Sequence, residues 1–212
     1  MDIIDPAVRE YLLAHCPPPD DVLKELAAET EARAPDMHVT HYEGELLGML
    51  VRMAGARRVV SVGVFTGYSS LCIVRSMPPD GRLLACEIDR RWTDIAEKYW
   101  RRAGVADRID LRIAPAIETL RALPPDPVLD FGYIGADKAG HRLYYEELLA
   151  RLRPGGLLLL GDALRGGHVV DRACHAADVE AVRELNDAVV HDDRVDAVIL
   201  PAGDGALIVR KR

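Results

Sequence analysis

The sequence is short of positive charge. Its 27 Lys and Arg stand against 34 Asp and Glu, a formal charge of −7, which excludes broad electrostatic binding to nucleic acid or to an anionic membrane surface. Long apolar runs are missing too, and nothing approaches the roughly 20 residues of a membrane span. The opening stretch MDIIDPAVRE has early acids and no apolar centre, so it does not read as a secretory signal. The four cysteines, Cys16, Cys72, Cys86 and Cys174, are scattered without a CxxC pair. That pattern predicts reduced thiols rather than a disulfide framework, and with them a cytoplasmic location. There is no GxGxxG and no Walker lysine, which argues against dinucleotides and nucleoside triphosphates. Aromatics are only 5% of the chain, so Tyr42, Tyr144 and Tyr145 stand out as candidates for a pocket mouth.

What remains is ordinary for a globular protein: 49% hydrophobic and 29% charged residues, in a chain long enough to bury a core without staples. Residues 20–34 have helical periodicity, with Val22, Leu23, Leu26 and Ala27 on one face, and a second helix is expected over 43–55. The pattern then alternates. RRVVSVG, RLLACEID, RIDLRIA, LDFGYIGA and LLLLGDA read as strands. Helices are expected at 66–77, 91–103, 116–123, 142–152 and 171–190. The ending VDAVILPAGDGALIVRKR reads as a hairpin around Gly-Asp-Gly. Alternation of this kind predicts an α/β fold: a seven-stranded, mostly parallel sheet with a C-terminal antiparallel hairpin. The expected organisation is a single domain, 1–212, in which residues 1–55 form an N-terminal helical lid.

Ligands of such sheets bind beyond the carboxyl ends of the strands. The first strand–helix turn, SVGVFTGYSS, places Gly63 and Gly67 where backbone approaches a ligand closely, with Ser69 and Ser70 able to cap the next helix. Glu87 ends the second strand, and a carboxylate there accepts from the hydroxyls of a ribose. A glycine turn and an acidic strand end describe a nucleoside site without a pyrophosphate, which S-adenosylmethionine fits.

The segments VLKELAAETEARAPDMHVTHYEGELLGMLVRMAGARRVVSVGVFTGYSSL, AGVADRIDLRIAPAIETL, YYEELLARLRPGGLLLLGDAL and LPAGDGALIVRK resemble the caffeoyl-CoA and catechol type O-methyltransferases, in their bacterial small-molecule branch. The resemblance implies a class I, Rossmann-like methyltransferase fold, S-adenosylmethionine, a homodimer and a divalent cation. Carried over by position, it places Met37 and Val39 in the lid near the cofactor. Gly63, Val64, Tyr68 and Ser69 fall around the methionine end, Glu87 on the ribose in place of the more usual Asp, and the Ala116 backbone at the adenine edge. Ser61 replaces a Glu that approaches the cofactor amino group.

The resemblance breaks at YIGADKAGHRLYY. The family motif there is Asp-Ala-Asp-Lys, whose first Asp binds the metal; here that position is Gly135. The metal-binding Asp-Asn pair after the next strand reads as Asp162-Ala163, leaving Asp162 as the one expected ligand. A single carboxylate is a poor site for a hard cation, so the usual metal site is expected to be absent. A side chain must then activate the acceptor. The candidates are Lys138, which matches the family lysine proposed as base, together with Asp162, His141 and His168. His38 and His41 lie in the lid stretch, and a rebuilt His/Asp site for a softer metal is an alternative. The leading expectation is metal-independent O-methylation of a small molecule. The alternatives are N- or carboxyl-methylation, since an amine needs less activation and a carboxylate none, and a non-catalytic S-adenosylmethionine-binding regulator.

Overall fold

The computed structural model describes residues 4–35, 37, 39–126 and 128–212. Three helices precede the sheet. The first, α1 (Pro6–Ala14), begins under an Asp5 cap with Pro6 at its first position, where a missing N–H costs nothing. It buries no residue, which is why no apolar periodicity announced it. Helix α2 (Asp21–Arg33) starts where the Asp20 side chain accepts the Leu23 N–H. Helix α3 (His41–Met53) starts at a capping box of Thr40 and Glu43. Leu23, Leu26, Leu47 and Val51 are buried, with Val22, Ala27, Leu46 and Leu50 packed against the same core.

From β1 onward strands and helices alternate: β1 (Arg58–Val62), α4 (Tyr68–Ser76), β2 (Arg82–Glu87), α5 (Arg90–Arg102), β3 (Ile109–Ile113), α6 (Ala116–Arg121), β4 (Leu129–Ile134), α7 (His141–Arg151) and β5 (Leu152–Leu160). The chain ends in α8 (Ala177–Val190), β6 (Val195–Leu200) and β7 (Ala206–Lys211). The strands form one seven-stranded sheet in the order β3-β2-β1-β4-β5-β7-β6. Strand β7 runs antiparallel to both of its neighbours, so the hairpin inserts its second strand beside β5 and leaves β6 at the edge.

Most helix ends move by one or two residues from the sequence expectation; two boundaries differ by more. Pro154-Gly155-Gly156 lies inside β5, where the pairing with β4 jumps from Leu129↔Leu152 to Phe131↔Leu157. Such a bulge absorbs glycine and proline without ending the strand. Helix α8 begins at Ala177 rather than near 171; a 3-10 segment, Arg165–Val170, precedes it, with Gly166 and Gly167 at positive φ.

Each sheet face has its own core. Val59, Leu83, Ala85, Phe131, Tyr133 and Leu159 meet residues of α2–α5, with Trp100 fully buried. Val60, Val62, Cys86, Ile134, Leu158 and Leu160 meet α6, α7 and α8. Each fully buried aliphatic side chain contributes about 1.5–3 kcal/mol. The order reverses between β1 and β4, since β2 lies on one side of β1 and β4 on the other. This switch point is where a crevice opens above the carboxyl ends.

Candidate active site

A cavity of about 660 Å³ occupies that crevice, with Val62–Gly63, Cys86–Asp89, Ala114–Ala116, Gly135–Asp137 and Gly161–Asp162 in its wall. Met37, Val39, Thr40 and Glu43 close it from the helical side, and Arg9 of α1 reaches its rim. The volume suits a drug-sized ligand.

The β1 turn is built on bare backbone. Gly63 has φ +87°, and a Cβ there would stand 2.8 Å from the Ala136 nitrogen, so the loops after β1 and β4 touch only because the side chain is missing. Glu87 ties the same turn down. Its Oε2 accepts the N–H of Val64 (2.9 Å) and Phe65 (2.8 Å), and its Oε1 accepts those of Ile88 (2.8 Å) and Asp89 (3.2 Å). Beside it, Phe65 and Trp92 lie with ring centroids 4.4 Å apart. Together with Ile88, Pro115 and Ala116 they give this end apolar walls. A flat heterocycle between those walls and a polar ring near Glu87 fit the donor set, so a nucleoside cofactor suits this half.

The other half is acidic and organised from behind by a cation. Lys138 Nζ donates to Asp162 Oδ2 at 2.7 Å and to the Ala136 carbonyl at 3.2 Å, with His141 Nε2 at 3.4 Å. The Lys138 side chain is 7% exposed and that of Asp162 43%. Burial raises the Asp162 pKa, but the Lys138 ammonium more than offsets it, and the carboxyl is held below its usual range. Burial and then the Lys138 charge pull His141 down to about 4, so its ring is neutral at pH 7. Asp137 is engaged elsewhere, accepting the Tyr144 hydroxyl (2.9 Å) and the Gly140 N–H (2.7 Å). Asp204, 7% exposed, accepts the Gly166 N–H, and its other oxygen lies 4.0 Å from Arg165, whose guanidinium pairs with Asp178. Burial, with Asp162 nearby, raises the Asp204 pKa.

The facing positions above the ends of β4 and β5 are 135 and 161, because Ile134 pairs with Leu160 and the Gly161 N–H donates to the Ile134 carbonyl. Both are glycine. Asp162, the one ligand the resemblance leaves, follows Gly161 and stands one residue beyond the position that faces Gly135. The space is filled by Tyr133. Its hydroxyl is 2.8 Å from where a Cβ on Gly135 would stand and 3.4 Å from one on Gly161. Burial, with Asp162 and Glu43 adding to it, raises the Tyr133 pKa, so the hydroxyl stays protonated.

Of the residues singled out from sequence, Met37, Val39, Gly63, Glu87, Ala116, Gly135 and Asp162 line this cavity, and Tyr144 joins them. Others are displaced. The wall begins at Val62, one residue past Ser61, whose Oγ is buried without a partner among the described residues. Val64, Tyr68 and Ser69 are buried off the wall, Val64 and Tyr68 in the core of the helical face. Lys138 and His141 stand behind Asp162 rather than on the wall. His168 is exposed outside it, where its carbonyl accepts from Arg183. His41 donates from Nε2 to the Pro17 carbonyl (2.6 Å) and meets the Tyr68 hydroxyl at Nδ1 (3.0 Å), which uses both ring nitrogens. Tyr42 accepts the Gly203 N–H and Tyr145 donates to Asp192, so neither is at the mouth. His38 lies outside the described residues. The sequence reading missed Tyr133, Arg165 and Asp204. Strand parity with buried Phe131 is the available signal for the first; Gly203-Asp204-Gly205 signals only a turn.

The profile of the O-methyltransferase family matches residues 15–212. Caffeoyl-CoA O-methyltransferase 2 of Zea mays is 37% identical over 179 residues, covering 80% of this chain and 68% of that protein. The O-methyltransferase of Bacillus cereus, solved in complex with SAH, superposes with a TM-score of 0.88 at 28% identity, covering 97% of each chain. TomG of Streptomyces achromogenes, solved with SAM, gives 0.88 at 29%, covering 97% of this chain and 96% of its own. With the cavity at the switch point and the Glu87-anchored turn, these similarities establish that the chain belongs to the S-adenosylmethionine-dependent O-methyltransferase family.

Proposed function

We propose that the protein methylates a hydroxyl of a small molecule without a divalent cation at the β4–β5 strand ends. The observation that carries this reading is the pair of facing glycines, 135 and 161, with the Tyr133 ring and hydroxyl in the space their side chains would take. The remaining carboxylate, Asp162, already has one oxygen in an ion pair with Lys138. A Mg²⁺-sized ion needs several oxygen ligands at short range, and these residues do not fit one.

S-adenosylmethionine, when bound, supplies an electrophilic methyl on a sulfonium. Met37, Val39, Gly63, Glu87 and Ala116 are the residues we assign to hold it. Glu87 receives a ribose hydroxyl by sharing or displacing one of its four backbone donors. The acceptor oxygen forms the new O–C bond with its own lone pair, the C–S pair stays on sulfur, and the hydroxyl proton leaves to Asp162 Oδ1. That oxygen has no protein partner among the described residues. An oxygen already bonding to carbon is far more acidic than the free hydroxyl, so a carboxylate of low pKa suffices as base. Lys138 keeps Asp162 ionised and fixed; donating to Asp162 and to the Ala136 carbonyl, it serves as an anchor rather than as the base.

The test is methyl transfer from S-adenosylmethionine to phenols, alcohols, amines and carboxylic acids, each with EDTA and with added Mg²⁺. Transfer to hydroxyls that survives EDTA is the expected result. Activity abolished by EDTA and restored by Mg²⁺ overturns the metal-free reading.

A further inference from the structure

Tyr133 is 7% exposed, and its hydroxyl has no hydrogen-bond partner among the described residues, yet the residue lines the cavity. The oxygen is not one of the sealed, unpartnered atoms of the protein; it opens onto the cavity. A hydroxyl so placed, with no protein partner among the described residues to hold it, is free to bond to the molecule that fills the cavity. The neighbouring positions are shaped around it. A side chain on Gly135 would collide with its oxygen and ring, at 2.8 to 3.0 Å, and one on Gly161 would press on the oxygen at 3.4 Å. Asp162 follows Gly161 directly and lines the same wall.

We infer that the Tyr133 hydroxyl and the Asp162 carboxylate together form a subsite for one isolated hydroxyl group of the methyl acceptor. Tyr133 donates to the acceptor oxygen, and the acceptor hydroxyl donates to Asp162 Oδ1. This rests on the proposed function and names its substrate class. A metal ion is chelated best by two adjacent oxygens; a tyrosine donor and a carboxylate acceptor complete the valence of one. The acceptor class is therefore a mono-hydroxyl compound, and a second adjacent hydroxyl adds nothing. The pair also selects among nucleophiles. A neutral amine has a single lone pair, which it cannot give both to the Tyr133 hydrogen bond and to the methyl carbon, and a carboxylate has no hydrogen for Asp162.

The experiment compares the wild-type enzyme with Tyr133→Phe, which removes the oxygen and keeps the ring. Kinetics are run in EDTA with 2-methoxyphenol and with catechol, and S-adenosylhomocysteine affinity is measured by calorimetry as the control for cofactor binding. Binding of 2-methoxyphenol to the S-adenosylhomocysteine complex is measured by NMR in parallel, so that a readout exists whatever the turnover. We expect wild-type kcat/KM for 2-methoxyphenol to equal or exceed that for catechol. In Tyr133→Phe it should fall about 3- to 10-fold, the effect of losing one hydrogen bond that orients the acceptor, with 2-methoxyphenol binding several-fold weaker and S-adenosylhomocysteine affinity within twofold. Equal acceptor binding and kcat/KM in the two proteins overturn the inference while leaving the methyltransferase reading intact. Strong wild-type preference for catechol overturns the mono-hydroxyl class. Wild-type transfer confined to amines counts against the functional reading itself and is distinguished by the panel.

Discussion

Lowering the pH from 7.5 to 4.5 tests how the ground behind Asp162 is built. His141 is 2% exposed, and burial followed by the Lys138 ammonium pulls its pKa from 6.5 to about 4. Between those values the unfolded chain binds a proton that the folded chain refuses. Stability therefore rises with pH across this window and is lost as pH falls through it. At 1.36 kcal/mol per pH unit, the loss from this group is about 1 kcal/mol at pH 5.5 and about 2–3 kcal/mol at pH 4.5. Urea unfolding of the wild type and of His141→Gln at pH 7.5, 5.5 and 4.5 isolates the effect, since the other titrating groups largely cancel in the difference. The wild type should lose about 2–3 kcal/mol more than the variant over the full range. Parallel curves would show that His141 takes up its proton as readily in the folded chain as in the unfolded one, and would refute the buried neutral ring.

Two further substitutions probe the pair and the turn. Lys138→Met leaves Asp162 without its counter-ion; breaking a buried pair costs about 3–5 kcal/mol, which the 43% exposure of Asp162 reduces to roughly 1–3. The expected fall in Tm is roughly 3–10 °C for a chain of this size, with kcat reduced at least about tenfold; an unchanged Tm and kcat would remove the pair from the mechanism. Glu87→Gln exchanges two acceptor positions for donors opposite four backbone N–H groups. Calorimetry should show S-adenosylhomocysteine binding weakened about tenfold or more, and an unchanged Kd excludes Glu87 as the ribose partner.

The primary sequence determined the alternation of strands and helices, the mostly parallel sheet and the turn after β1, because these depend on residues close together in the chain. Period-2 and period-3.6 patterns, Gly63 at a strand end and an acid at the next strand end are local facts. So is a glycine at 135, where the resemblance implies an Asp. Helix α1 was hidden for the complementary reason: it buries nothing, and a helix without a core face leaves no periodic trace.

Tertiary structure decided the chemistry. Lys138 and Asp162 are 24 residues apart and meet only because β4 and β5 are neighbours. In the mechanism we propose, that contact makes Lys138 an anchor and leaves Asp162 as the base. Register decided that Gly161, and not Asp162, faces Gly135, and a shift of one residue reverses which side of the sheet a side chain occupies. Tyr133 belongs to the same class. Its parity in β4 places it on the helical face, but only the approach of two glycines from adjacent strands leaves room for its hydroxyl, because an atom's neighbours across a sheet are set by strand order and register, which no single segment encodes.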